Sequence, residues 1–455
     1  MKKKVIVLVP DGVGIKNYVY TSVFKNRDAD LTLMHNFDAE TLEQIQPHCD
    51  FQDTIEIPDY SEGVKEKFLR ELIHLSRLKF NAKQFENPTI LFNWKKNHKS
   101  FKLKIFYAAV SVASRFISRY KTILKLEKAY DNSLIQNPFY NEVIGILKDH
   151  DPDVIFCTHQ RALKAAAIFK AANQLSIETT TVIYSWDNLP KARLALKADK
   201  YLVWSDYMKQ EMHSMYPEIP SEKIKITGTP QFEFFTDSNY WMQKEDFFNT
   251  YNLNPSHTHI CFSGDDITTS PYDPFYLNDL AESLTKNSMD EEYRIIFRRC
   301  PVDISGRYDW VIEKYPDLIV EIEPLWNFNS DRWTAIYPTY EDVTLLVSLA
   351  RYSDLVVNVG STMAFDFGMF GKPCIYINYD HVKDKSWSVS SIYKFQHFRS
   401  MPSRDAVYWL NSKNEIAATI QKALEGPETD ISAWFKIVAE ATQSACDNIY
   451  KELMS

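Results

Sequence analysis

Short strand-like stretches rich in apolar residues recur along this chain, and nearly every one empties into a cluster of small polar residues. The first covers residues 5–9 and is followed by Pro10-Asp11-Gly12-Val13-Gly14. Further strand-like stretches at 31–37, 54–57, 153–157, 180–184, 201–204 and 224–227 follow in the first half, and at 259–262, 293–297, 318–322, 355–359 and 374–377 in the second. Apolar runs without polar alternation are what strands buried on both faces of a parallel sheet require. Between them lie segments of helical character. These are 162–172, a stretch to residue 215 opened by Ser205-Asp206, 343–351 and 413–425. Thr339 is placed to cap the third of these, with Asp342 completing a capping box. The alternation predicts α/β architecture with parallel sheets.

The pattern changes in three places. Residues 60–150 are largely helical in character and interrupt the alternation. Residues 236–256 are polar and aromatic and read as a linker with a short helix. Residues 431–454 read as one terminal helix. The chain therefore divides into a first domain, 1–235, carrying the helical insertion 60–150, then a second domain, 257–430. A segment 431–455 is able to cross back to the first. At 455 residues the chain exceeds what one ordinary core supports, which agrees with two domains.

Composition narrows the class. The six cysteines include no closely spaced pair, and several sit within apolar runs, so they read as buried thiols in a reducing compartment. The net charge of −8 argues against a general nucleic-acid binder. The lysines at positions 2–4 and the run after them are too brief for a signal peptide, and no stretch approaches a membrane span. The expectation is a cytoplasmic protein. One local exception is residues 94–128, where Lys95, Lys96, Lys99, Lys102, Lys104, Arg115, Arg119, Lys121, Lys125 and Lys128 face a single acid, Glu127. Trp94, Phe101, Ile105, Phe106, Tyr107, Phe116 and Tyr120 are interleaved with them. Such a segment suits peripheral contact with the inner face of an anionic membrane, or a solvated helix face packed on the sheet.

The polar clusters after the strands are the candidate chemistry, because open α/β sheets place ligands at the carboxyl ends of their strands. In the first half these are Asp11 and Gly12, His159, Asp187, and Gly228 with Thr229. Asp11 is either a base facing a cleft or a cap for the next helix. His159 is either chemical or a hydrogen-bonded structural residue. In the second half they are Ser263-Gly264-Asp265, then Arg298-Arg299 at a strand end, Glu341 at a helix start, and Asn358-Val359-Gly360-Ser361-Thr362 with Asp366. Two arginines can clamp a diphosphate or form surface ion pairs. Glu341 can hold ribose hydroxyls. Gly360 should turn the chain sharply so that Ser361 and Thr362 open a helix closed by Gly371 and Pro373. That helix start, with free N–H groups and two hydroxyls, suits a phosphate.

As a set, Gly228-Thr229-Pro230, Ser263-Gly264-Asp265, Arg298 to Pro301, and Asn358 to Thr362 with Asp366 and Lys372-Pro373 resemble the nucleotide-sugar glycosyltransferases of bacterial surface-polysaccharide type. They also look like the CDP-glycerol glycerophosphotransferases and the Kdo and sialic acid transferases. Those families carry Arg-x-His-Pro where this chain has Arg298-Arg299-Cys300-Pro301, and the absent histidine argues against a CMP- or CDP-linked donor. The resemblance implies the GT-B fold, two Rossmann-like domains facing across a cleft. It implies a nucleotide-sugar donor on the second domain, a glycan or lipid-linked acceptor on the first, and no cofactor or metal. Within that layout Gly12, Gly228, Thr229, Ser263, Gly264, Asp265, Arg298, Glu341, Gly360, Ser361 and Thr362 would bind substrate. Asp366, one turn past Thr362, would fix the loop by hydrogen bonding. Asp11 would be the base, with His159 and Asp187 in reserve. Three alternatives share these features: a glycerol- or ribitol-phosphate or Kdo-type transferase, a UDP-sugar 2-epimerase, and a non-catalytic sugar-nucleotide-binding partner.

Overall fold

The computed structural model describes residues 2–94, 100–328, 336–384, 387–426 and 429–455. The first sheet has seven strands: β1 (Lys4–Val9), β2 (Asp30–His35), β3 (Asp53–Glu56), β4 (Val154–Cys157), β5 (Glu178–Val182), β6 (Lys200–Val203) and β7 (Ile224–Ile226). All pair in parallel in the order β3-β2-β1-β4-β5-β6-β7. Residues Val5 to Val9 and all of β4 are buried, which is why they contain no polar alternation. Helix α1 (Ala39–Ile45) follows β2. Four helices fill the stretch between β3 and β4: α2 (Val64–Gln84), α3 (Phe101–Ala113), α4 (Tyr120–Leu134) and α5 (Pro138–His150). The alanine-rich α6 (Leu163–Gln174) packs on the sheet, and α7 (Asp206–Met215) starts at Ser205, whose hydroxyl accepts from Met208 N–H.

After α8 (Lys244–Thr250), the second sheet runs β8 (Thr258–Ser263), β9 (Tyr293–Arg298), β10 (Ile319–Glu321), β13 (Leu355–Asn358), β14 (Cys374–Ile377) and β15 (Tyr408–Leu410). It too is parallel, in the order β10-β9-β8-β13-β14-β15. A two-stranded antiparallel arm, β11 (Trp326–Asn327) and β12 (Tyr337–Pro338), stands beside it. Its helices are α9 (Asp273–Lys286), α10 (Asp309–Lys314), α11 (Tyr340–Tyr352), α12 (Met363–Gly368), α13 (Val389–Ile392) and α14 (Ile416–Glu425).

Each sheet reverses its strand order once, at β1/β4 and at β8/β13. The crevice outside the carboxyl ends at such a reversal is where open α/β sheets bind ligands. Asp11 and His159 follow β1 and β4, while Asp265 and Gly360 follow β8 and β13. Side chains 148 residues apart are thereby brought to one rim.

The expected single helix over 431–454 is broken. The chain forms α15 (Ile431–Val438), becomes extended at Ala439, turns through a left-handed Ala441 (φ 51°) and resumes as α16 (Ala445–Met454). The break lets the chain pass between domains: Glu440 N–H donates to the Trp204 carbonyl at 3.1 Å. Gly228 (φ +80°) lies beneath this crossing, and a Cβ there would sit 2.5 Å from the Glu440 carbonyl oxygen. The helix α16 then rests on the first domain, where the Lys3 and Lys200 ammoniums each donate at 2.7 Å to carbonyls of its last turn.

Candidate active site

The first domain supplies a dyad. Asp11 Oδ2 lies 2.6 Å from His159 Nδ1, and Asp11 Oδ1 accepts from Val13 N–H at 3.2 Å. Asp11 is buried and His159 half-buried. A carboxylate held on Nδ1 fixes the ring and the tautomer, leaving Nε2 as the proton acceptor. The sequence reading treated Asp11 and His159 as separate candidates; the structure makes them one unit, with the carboxylate orienting the imidazole. Asp187 stands apart. Its carboxylate is 2.5 Å from Lys191 Nζ and accepts from Asn188. Burial pushes its pKa up, but Lys191 and His397 outweigh that and hold it well below the carboxylate range. A carboxylate so stabilised is a poor base, so Asp187 serves the Trp186–Leu189 turn instead.

A residue not singled out from sequence completes this rim. Lys16 lies in a short π-helical turn, Ile15–Val19, closed by a Tyr20 N–H to Ile15 carbonyl bond. Ile15, Asn17, Tyr18 and Val19 around it are buried. Its ammonium forms no ion pair or hydrogen bond with a described residue, and burial lowers its pKa while the Asp366 and Asp342 carboxylates raise it. The signal in the sequence was a lone lysine within an otherwise buried segment directly after the first strand loop.

Lys16 faces the second domain, where the Asp366 and Asp342 carboxylates act on its charge. Burial pushes the Asp366 carboxyl up to about 6, against the pull of Lys16 and Arg298. Asp366 forms no hydrogen bond with a described residue, so the expectation that it fixes the loop is corrected. Asn358 does that work: its Oδ1 accepts from Ser361 N–H at 2.8 Å. The helix at this point, α12, is also shorter than the 361–371 span implied. Met363 N–H is taken by Ser361 Oγ, and the Ala364 and Phe365 N–H groups by backbone carbonyls. The turn therefore offers fewer free donors than a longer helix start would. Thr362 is exposed beside it, and Gly360 (φ +72°) admits the Phe398 ring, which a Cβ would meet at 2.9 Å.

The two arginines separate. Arg299 pairs with Glu321 and takes the surface role. Arg298 is buried and its Nη2 lies 2.7 Å from Asp342 Oδ1, while its buried Nη1 has no partner among the described residues. Asp342 also accepts from Leu325 N–H at 2.7 Å and Trp326 Nε1 at 2.9 Å. Its carboxylate is thus not the second half of a capping box; only the Thr339 hydroxyl caps α11, accepting from Asp342 N–H.

The Ser263-Gly264-Asp265 loop is tightly closed. Tyr308 lies over Gly264, where a Cβ would be 2.6 Å from its hydroxyl, and Arg307 donates to the Asp265 carbonyl at 2.6 Å. Ser263 is buried. Burial and the neighbouring Asp273 carboxylate push the Asp265 carboxyl well above its ordinary range, and Asp265 Oδ2 has no partner among the described residues. That oxygen is free to form a hydrogen bond with a ligand. Thr229 is fully buried beside the crossing segment, and Glu341 is exposed at the start of α11. Gly12 packs against the arm, since a Cβ there would fall 2.2 Å from the Ile336 carbonyl oxygen. That contact, the Tyr20–Tyr340 edge and the His48–Tyr340 stack (3.9 Å) join the domains at one margin of the cleft. Among the described residues no cluster of three or more His, Cys, Asp or Glu is arranged to hold a metal ion.

Residues 77–230 match the family model of monogalactosyldiacylglycerol (MGDG) synthase. The UDP-GlcNAc 2-epimerase of Methanocaldococcus jannaschii superposes over the whole of both chains with a TM-score of 0.55 at 11% identity. A glycosyltransferase of Rickettsia africae superposes over 100% of this chain and 99% of its own, with a TM-score of 0.53 at 13% identity. The fold is of GT-B type. The matched family model and this fold together support a glycosyltransferase. No curated protein matches the sequence.

Proposed function

We propose that this protein moves a sugar from a nucleotide-activated donor to a hydroxyl of a glycan or lipid-linked acceptor. The observation that carries the reading is the Asp11–His159 dyad with Lys16 at the rim of the acceptor-side sheet, and Arg298 at the facing rim. His159 Nε2 takes the acceptor hydroxyl proton as the new glycosidic C–O bond forms. The bond from the sugar to the nucleoside diphosphate breaks, and its electron pair leaves with the phosphate oxygen. The charge that develops there is met by the Lys16 ammonium and the free Nη1 of Arg298, groups fixed in advance in a water-poor site, so the reaction needs no metal or cofactor. Burial that lowers the Lys16 pKa also marks a cation short of an anion.

The test is a thermal-shift panel of UDP, GDP, CDP, CMP and dTDP on the wild type and Lys16→Met. A ligand at a hundred times its Kd stabilises by about 2.7 kcal/mol, readily seen in the melting temperature. One nucleoside diphosphate should stabilise the wild type, and the response should fall in Lys16→Met. A CMP or CDP preference would favour the phosphotransferase or Kdo-type alternative. Turnover of a UDP-sugar without acceptor would favour a 2-epimerase. Silence toward all five nucleotides would overturn the donor site.

An acceptor on a lipid requires a surface that reaches it, and α3 with the turn after it offers one. Phe101 (75% exposed), Ile105, Val112 and Phe116 (82%) point to solvent. Lys102, Lys104, Arg115, Arg119 and Lys121 surround them, exposed and free of ion pairs with described residues. Lys95, Lys96 and Lys99 of the same basic segment lie outside the described residues. No described helix is long and apolar enough to cross a membrane. Surface docking on anionic lipid, with each cation contributing about 1 kcal/mol near the charged surface, fits this combination. The protein should sediment with vesicles containing phosphatidylglycerol and not with pure phosphatidylcholine vesicles. A Phe101→Ser, Phe116→Ser double variant should stay in the supernatant; equal sedimentation of wild type and variant would end the idea.

A further inference from the structure

A cavity of about 230 Å³ lies between the helical insertion and the first sheet, away from the donor side. Its walls come from α2, α4, the loop 192–198 and the segment after α7. Three of its guanidiniums are neutralised. Arg70 pairs with Glu62 and Glu71, Arg77 with Glu127 and Glu218, and Arg193 with Glu71. Arg161 is the exception. It forms no hydrogen bond or ion pair with a described residue, and its Nε is buried without a partner. The Tyr130 hydroxyl, on a side chain 6% exposed, also lines the cavity and is also without a partner among the described residues. The rest of the lining is largely apolar, with Ile73, Leu194, Leu196 and Ile219 among it. Leaving a buried guanidinium Nε and a buried hydroxyl unpaired is costly, and the arrangement is what a bound oxyanion would satisfy.

Position ties the cavity to the dyad. Arg161 follows His159 by two residues, and both the Asp11 and Asp187 carboxylates act on its charge. The inner end of the cavity therefore adjoins the acceptor side of the cleft. We infer that the cavity is an acceptor subsite for an amphiphilic anion, a phosphate or carboxylate carried on an apolar body. Arg161 and the Tyr130 hydroxyl bind the anionic group, and the aliphatic walls take the chain. The acceptor role rests on the transferase reading above, whereas the binding itself does not.

Octyl phosphate, kept below its micelle concentration, is the probe, with inorganic phosphate and octyl glucoside as the separate head and tail. Binding to the full chain is measured by calorimetry and by melting temperature. Octyl phosphate should bind and the two controls should not. Arg161→Gln should weaken binding at least tenfold, and Tyr130→Phe by a smaller factor. Arg161 has no partner to lose, so that variant should keep the wild-type melting temperature; Ala195→Leu, which narrows the cavity, provides an independent block. Equal binding of inorganic phosphate would overturn the amphiphile in favour of a simple anion site. No binding of octyl phosphate, or binding unchanged in both Arg161→Gln and Ala195→Leu, would overturn the subsite. Octyl phosphate binding that is lost in Arg161→Gln, in a protein silent to every nucleotide, would uphold the subsite while the donor reading falls.

Discussion

His159→Ala should lower the rate of sugar transfer by about 10²–10⁴-fold, the range expected for removing a positioned general base. The loss should fall on kcat, since the imidazole acts on a proton that moves only in the transition state. Asp11→Asn should cost nearly as much while leaving the ring in place. An amide can offer its N–H₂ to Nδ1 and so stabilise the tautomer that has lost Nε2 as an acceptor. Nucleotide-induced stabilisation should survive both changes, because the dyad stands on the acceptor side. Asp187→Asn is the control: its carboxylate is committed to Lys191 at 2.5 Å, so transfer should change far less. A rate that drops with Asp187→Asn and is indifferent to His159→Ala would reverse the assignment.

Asp342→Ala should destabilise the protein by about 3–5 kcal/mol, the cost of stripping one partner from a buried ion pair. Three donors lose their acceptor together: the Arg298 guanidinium, the Leu325 N–H and the Trp326 indole N–H. Urea unfolding gives the number directly through the midpoint. The paired change Asp342→Leu, Arg298→Met removes both charges and should recover much of the loss, while still abolishing the donor response if Arg298 meets the diphosphate. A cost below about 1 kcal/mol for Asp342→Ala would mean that the pair is effectively solvated.

These two sites show what the sequence could and could not disclose. Strands such as β1 and β14 were readable because a central strand covered on both faces of a parallel sheet carries an unbroken apolar run; β14 occupies the very residues, Cys374–Ile377, that the apolar run marks. Candidate loops were readable for the same reason, since every strand end declares its rim. Partnership was not readable. Asp11 and His159 meet only because β4 lies beside β1, a neighbour relation fixed by tertiary packing. Asp342 fits the spacing of a capping box, yet a buried guanidinium one strand away is the stronger claimant for a carboxylate. Lys16 carries no such mark in the sequence, being a single cation beside the buried Ile15, Asn17, Tyr18 and Val19. A full helix from Ser361 would set Asp366 one turn past Thr362 to hold the loop, whereas Asn358 already holds it and leaves Asp366 to face the other domain.

The crossing at residues 439–444 has a bearing on how the chain is made. Helix α16 belongs by contact to the first domain, since Lys3, Arg27 and Lys200 all bind it. In order of synthesis, however, it comes after the whole of the second. A nascent chain thus holds the first sheet with an uncovered flank until residues 445–454 emerge from the ribosome. The two domains cannot mature strictly one after the other, and the final closure of the earlier one waits on the later.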